Sequence, residues 1–154
     1  MDRIDYTILK LLQDNARETA SSISKKIHLS VSAVIERIRK LEESGVIKQY
    51  TIIVDEQKTG YELTALMEVS LSNPKYYDNF SQTIQEMEQV VSCYYQTGEF
   101  DLLLKIACAS SDELDQTHRQ IMSLDGVKDT RTHVVLKNVK NIYSAIKKPD
   151  AGQK

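Results

Sequence analysis

The sequence predicts an α+β protein: a three-helix, helix-turn-helix head followed by a β-α-β-β-α-β body. Three observations carry this. Residues 19–45, TASSISKKIHLSVSAVIERIRKLEESG, read as a helix, a short turn and a second helix that starts sharply at a serine. A run rich in β-branched residues, VIKQYTIIV (46–54), comes next. Beyond residue 60, apolar strand-like runs alternate with amphipathic segments in an order that closes a four-stranded sheet with two helices on one face.

In the head, residues 2–13 form a first helix that Asp2 can cap, with Ile4, Ile8, Leu11 and Leu12 on its buried side. Thr19 caps a second helix in which Ala20, Ile23 and Ile27 face inward. His28 and Leu29 turn the chain. Ser30 caps the third helix, which ends at Ser44 and Gly45, a natural stop. At about 100° per residue, Val34, Ile38 and Leu41 stack on one side of this helix. Ser32, Glu36, Arg39 and Lys40 point away, with Ala33 and Arg37 on the flanks. The 46–54 run is expected to be a strand that pairs outside its own domain and serves as the connector, followed by a polar link at 55–60.

In the body, strands are expected at 63–71, 90–96, 101–109 and 127–137, with a short one around 141–145. Helices are expected from Asn73-Pro74 to about residue 88 and over 112–123. Turns fall at Thr97-Gly98-Glu99 and Asp125-Gly126. The domain limits are therefore 1–50 for the head, 51–60 for the linker, 61–146 for a ferredoxin-like body and 147–154 for a disordered tail.

Composition narrows the function. The 154 residues are 41% hydrophobic and 27% charged, as in a soluble globular protein. No apolar run reaches the roughly 20 residues that span a bilayer, and no apolar segment follows Met1-Asp2-Arg3 as in a secretory signal. The cytoplasm is the expected compartment, and Cys93 and Cys108, set in apolar segments, are expected to be buried, reduced thiols. The net charge of −2 hides an asymmetry. Residues 1–54 hold nine basic and seven acidic groups, and the remainder eleven and fifteen. A basic head on an acidic body fits DNA binding through one small module.

The outward face of the third helix fits the major groove, where small polar and basic residues meet base edges and phosphates. The expected DNA-binding residues are Ser30, Ser32, Ala33, Glu36, Arg37, Arg39 and Lys40. Arg37, Arg39 and Lys40 suit phosphates. Glu36 either orients Lys40 or accepts from a cytosine amine. Tyr50, Tyr94 and Tyr95 are expected to pack in the core or an interface rather than to stack on bases. His28, His118 and His133 lack partners at ligand spacing, so no metal is expected. No nucleophile-elbow, P-loop or dinucleotide fingerprint occurs, so neither an enzyme nor a cofactor is expected.

Taken in order, IDYTILKLLQDNAR (4–17), VIERIRKLEESGVIKQY (34–50) with the following VD, TGEFDLLLKI (97–106) and LDGVKDTRTHVVLKNVK (124–140) resemble the leucine-responsive regulator / asparagine regulator (Lrp/AsnC) family of prokaryotic transcription factors. The resemblance runs from Asp2 to about Val139. It implies a (winged) helix-turn-helix domain joined by a β-strand linker to a C-terminal sandwich called RAM. It further implies homodimers assembled through the sheets, a higher oligomer such as an octamer, and an amino-acid effector bound where dimers meet. A zwitterion needs N–H or hydroxyl donors for its carboxylate and an anion or carbonyls for its ammonium. Gly98, Glu99, Phe100 and Asp101 are the expected effector site, completed by Thr130, Arg131 and Thr132 of a neighbouring dimer. Two positions depart from the family. His28 stands where a turn glycine is usual, and Val31 where proline commonly follows the capping serine. The leading expectation is a sequence-specific regulator of transcription that acts on double-stranded DNA. The alternatives are an effector-independent, nucleoid-type protein that wraps DNA, and a small-molecule-binding or enzymatic sandwich whose head is an interaction module.

Overall fold

The structure, a computed structural model, describes residues 1–149. Contacts divide the chain into two units: residues 1–53 together with the segment from Lys140 onward, and Val54–Val139.

The first unit holds three helices: α1 (Arg3–Asp14), α2 (Ala20–Ile27) and α3 (Val31–Glu43). Each start is fixed by a side chain that takes an orphan N–H of the first turn. Asp2 accepts from Asp5 N–H and the Asp5 carboxylate accepts from Asp2 N–H, a reciprocal capping box. Thr19 caps α2 through Ser22 N–H, and Ser30 caps α3 through Ala33 N–H. The turn between α2 and α3 forces His28 into the left-handed region, at φ 57° and ψ 42°. It is the single non-glycine residue with positive φ among the described residues, a conformation that costs a side chain-bearing residue some strain. Gly45 takes φ 72° after α3, and Ile47 N–H donates to Leu41 C=O as the chain folds back.

The core of this unit is small: Ile8, Leu9, Ile23, Val34 and Leu41 are buried, and Ile4, Leu12, Ile27, Leu29 and Ile38 pack around them. One further contributor comes from the far end of the chain. Ile146 packs on this cluster, and Ser144 C=O accepts from the Gln13 side chain on α1. Residues 140–146, expected in the body, thus group with the head by contact, through the apolar packing of Ile146 and the Ser144–Gln13 hydrogen bond. The expected strand at 141–145 does not form. The part of the expected tail at 150–154 lies outside the described residues.

Residues 46–54 are not a strand within the single chain. Tyr50, Ile52, Ile53 and Val54 are exposed. A strand needs a ladder partner, and β-branched composition alone does not supply one.

The second unit begins with a single 3₁₀ turn (Gln57–Thr59), anchored where Glu56 accepts from Lys105 Nζ at 2.8 Å. Then follow β1 (Leu63–Leu71), α4 (Tyr77–Gln85), β2 (Val90–Tyr95), β3 (Leu102–Cys108), α5 (Ser111–Met122) and β4 (Val127–Val134). The sheet order is β2-β3-β1-β4, and every neighbouring pair is antiparallel. This is the ferredoxin-like arrangement that the sequence predicts. Alternate β1 residues Ala65, Met67 and Val69 are fully buried, and Met67 and Val69 share one core with Phe80 and Ile84 of α4 and Ile121 of α5. Both helices therefore cover the same face. The other face carries Leu66, Glu68, Lys105, Arg131 and His133, all at least partly open.

Several limits differ from the sequence expectation. A 3₁₀ turn (Pro74–Tyr76), capped by the Asn73 side chain through Lys75 N–H, precedes α4, and α4 stops at Gln85 rather than 88. β4 ends at Val134 rather than 137, although Val135 N–H adds one more hydrogen bond, to Thr64 C=O of β1, at 2.8 Å. Cys108 is buried as expected, but Cys93 is exposed on the edge strand β2. Of the two roles expected for Tyr50, Tyr94 and Tyr95, core or interface packing, exposures of 49%, 58% and 67% in the single chain rule out the core. Tyr95 stacks edge-on with Tyr77 at 5.0 Å, and Tyr50 donates to Glu42. No helix among the described residues is long and apolar enough to cross a membrane.

Candidate nucleic-acid interface and effector site

Because Val34 and Leu41 are buried and Ile38 packs beside them, the rotation of α3 is fixed. Ser30, Ser32, Glu36, Arg39 and Lys40 are all exposed, and Ala33 is half-buried. Ser30 spends its hydroxyl on the cap and lies 3.1 Å from the Ser32 hydroxyl. The helix start therefore presents two hydroxyls side by side.

Charged residues on this face are pre-paired. Arg39 makes two hydrogen bonds to Glu36, at 3.0 and 2.8 Å, and a further one to Glu43. Lys40 Nζ stands 3.6 Å from the same Glu36 carboxylate. The Arg39 hydrogen bond holds Glu36 below the usual carboxylate range despite some desolvation. Exposed pairs of this kind are weak and exchange readily with phosphate oxygens.

Arg37 is in a different position. Its guanidinium donates to Asp2 at 2.7 Å and to Asp5 at 2.6 Å, which ties α3 to the capped start of α1. These hydrogen bonds raise its pKa. The structure thus separates Arg37, a brace within the head, from the group Ser32, Glu36, Arg39 and Lys40. Sequence reasoning also passed over two residues on this helix. Val31 and Ile35 are 41% and 54% exposed, one turn apart, beside Ser32 and Arg39. A helical projection could have found Ile35, which falls to the side of the Val34–Ile38–Leu41 stripe, whereas Val31 projects close to that stripe and is exposed because it sits in the first turn of α3.

In the body, Gly98 sits at φ 141° with open space where a side chain would be. Phe100 is buried and Glu99 exposed. Asp101 N–H donates to Val69 C=O, and its carboxylate accepts Leu71 N–H at 2.8 Å. That carboxylate closes the end of the sheet as well as lining a cavity of about 380 Å³ with Leu71, Pro74, Tyr77 and Tyr95.

Residues 130–132 divide between the two faces of the sheet, as strand alternation requires. Arg131 lies on the open face, its guanidinium 4.7 Å from the centre of the Phe100 ring and 3.6 Å from Glu99. Thr130 and Thr132 lie on the helix side. With Ser111, Leu114, Asp115 and His118 they line a second cavity of about 320 Å³. His118 Nε2 is 3.0 Å from the Thr130 hydroxyl, whereas the buried Thr132 hydroxyl has no partner. Within one chain, Arg131 meets the 98–101 turn, and the two threonines face a separate cavity.

Comparison with known proteins bears on both units. Residues 1–48 match a winged helix-turn-helix DNA-binding family, and residues 64–144 match the Lrp/AsnC ligand binding domain. The chain is 38% identical to the transcriptional regulator FL11 of Pyrococcus horikoshii, across 91% of this chain and 92% of the relative. It is 34% identical to the leucine-responsive regulatory protein of Haemophilus influenzae, across 91% and 86%. Among solved structures it resembles a Neisseria meningitidis transcriptional regulator in complex with L-Met, with a TM-score of 0.90, 28% identity and coverage of 95% and 96%. It also resembles AsnC of E. coli, with a TM-score of 0.85, 27% identity and coverage of 97% and 99%. The chain belongs to the Lrp/AsnC family of transcriptional regulators, with a helix-turn-helix DNA-binding domain ahead of a ligand-binding domain.

Proposed function

We propose that this protein is a sequence-specific DNA-binding regulator whose assembly or activity responds to a free amino acid. The observation that carries the DNA half is the outward face of α3. Ser32, Glu36, Arg39 and Lys40 project together from a helix whose opposite side is locked into the head core. A dimer would set two such helices in successive major grooves about one helical turn apart. Replacing Arg39 and Lys40 together with Ala should weaken DNA binding and make the slope of log affinity against log salt shallower, with the fold intact. An unchanged slope in a fluorescence titration would take this helix out of the interface. In this reading the protein works in the cytoplasm, where a prokaryotic regulator meets its DNA.

The effector half is supported by the open backbone at Gly98, the Asp101 carboxylate and the unpartnered Thr132 hydroxyl. In this reading Gly98–Asp101 of one dimer and Thr130–Thr132 of the next enclose the ligand as homodimers build a larger ring, an octamer. Asp101 faces the ligand ammonium with the oxygen not taken by Leu71. The relative bound to L-Met makes methionine the first amino acid to try.

A thermal-shift screen of the twenty amino acids identifies the effector, since a ligand of the native state raises apparent stability. Asp101→Asn retains a carbonyl for Leu71 N–H and removes the charge. It should weaken effector binding by roughly ten- to a hundredfold, the equivalent of one charge-assisted hydrogen bond. Equal affinity by calorimetry would move the site elsewhere. A response to none of the twenty would favour an effector-independent DNA-wrapping protein.

A further inference from the structure

We propose that Val31 and Ile35 read thymine: their exposed side chains contact the thymine 5-methyl group in the major groove and set base preference at that position. The proposal rests on the reading of α3 as the DNA-recognition helix and names the base chemistry it recognises.

The head core does not use these two residues. It is filled by Val34 and Leu41 from this helix, both essentially buried, while Val31 is 41% and Ile35 54% exposed. They are four residues apart, so they lie one above the other and form a short apolar strip. The strip is in the N-terminal half of α3, the part of a recognition helix that approaches base edges. It is continuous with the polar group around it: Ser32 and Glu36 follow each member in sequence, and Arg39 stands one turn beyond Ile35. In the major groove a thymine differs from every other base by its C5-methyl group, and apolar side chains are what match it. Hydroxyls and a carboxylate beside the strip can take donors from a neighbouring adenine or cytosine, so polar and apolar readers alternate along one helix.

The same strip could instead be covered by a second copy of the chain, and the test separates the two. A DNA site is first selected from a pool of random duplexes with the full-length protein. Each thymine of that site is then replaced singly by uracil, which lacks only the methyl group, and affinity is measured by fluorescence anisotropy. The wild-type protein should lose about three- to fivefold at one or two thymines, the effect of one methyl group removed from water. Ile35→Ala or Val31→Ala should bind the thymine site more weakly and no longer distinguish uracil there. Replacing cytosine by 5-methylcytosine at a neighbouring position offers the converse gain for the wild type alone.

Uracil substitutions that all fall within twofold would overturn the proposal, as would an Ile35→Ala variant with undiminished sensitivity. A change of oligomeric state in Ile35→Ala, seen by sedimentation, would assign the strip to contact between copies and overturn it likewise. Failure of the underlying reading looks different. In that case the selected duplex would bind equally well to the Arg39→Ala, Lys40→Ala double variant.

Discussion

The two units are stabilised in different ways. In the body, ten buried apolar side chains, drawn from β1, β3, α4, α5 and the residue Met87 that follows α4, form one cluster, and an antiparallel sheet satisfies the backbone. In the head, five buried side chains form the cluster. A core that small cannot hold three helices by area alone. The head depends instead on end devices: three side-chain caps, the Arg37 brace to Asp2 and Asp5, and an isoleucine brought back from residue 146. The body should therefore be damaged most by overpacking, and the head by loss of a single cap or clasp.

The largest effect expected is in the body, at Gly126. It has φ 86°, and a side-chain carbon added there would lie 2.1 Å from Tyr76 Cγ. The obstructing atoms sit at the root of the Tyr76 side chain, so a rotamer change does not clear them. Gly126→Ala combines a clash with a left-handed backbone and should cost about 3 kcal/mol or more. A denaturation midpoint equal to wild type would show that the turn yields. The next effect is in the head. Ile146→Asp puts a carboxylate against the cluster around α1 and should cost about 2 kcal/mol there. Amide exchange should accelerate in α1 and stay unchanged in β1 and β3. Uniform acceleration would mean that the head has no separate stability, and none would mean that the segment does not clasp it.

A third test sharpens the reliance on caps. Burial works against ionisation of Asp2, but the N–H of Asp5 and the guanidinium of Arg37 outweigh it and hold the group below 3.8. A depressed carboxylate contributes stability that is fully present above its unfolded value and is lost as pH falls through its folded value. The head should therefore loosen below about pH 4. Asp2→Ala should abolish that acid-dependent part and cost about 1–2 kcal/mol at neutral pH. Identical acid profiles for the two proteins would assign the dependence to other carboxylates.

Much of this was legible in the sequence because the signals are local. Asp2, Thr19 and Ser30 announce three helix starts, and the periodicity of Val34, Ile38 and Leu41 orients α3. The alternating runs around Met67 and Leu104 give the sheet. What escaped depends on contacts distant in sequence or missing from one chain. Nothing about SAIKKP announces that Ile146 packs on Ile8's cluster. The β-branched run 46–54 has strand composition but no ladder partner within the chain. Arg37 looks like a helix-surface cation until Asp2 and Asp5, more than thirty positions earlier, are seen to hold it. Thr130 and Thr132 could be placed on a strand, but which cavity they face follows only from the β1–β4 register.

The smallest expected effect has the opposite sign. His28 ends α2 in the left-handed region, where its Cβ crowds the backbone, and its side chain is exposed. Glycine occupies such a conformation without that crowding. Glycine also has more freedom to lose on folding, which offsets part of the gain. His28→Gly should leave a net stabilisation of about 0.5–1 kcal/mol, confined to the head. Thermal denaturation together with slower amide exchange at the ends of α2 and α3 would register it. A destabilised variant would mean that the imidazole makes a contact worth more than the strain it causes, and the helix-turn-helix turn would then be set by the histidine rather than in spite of it.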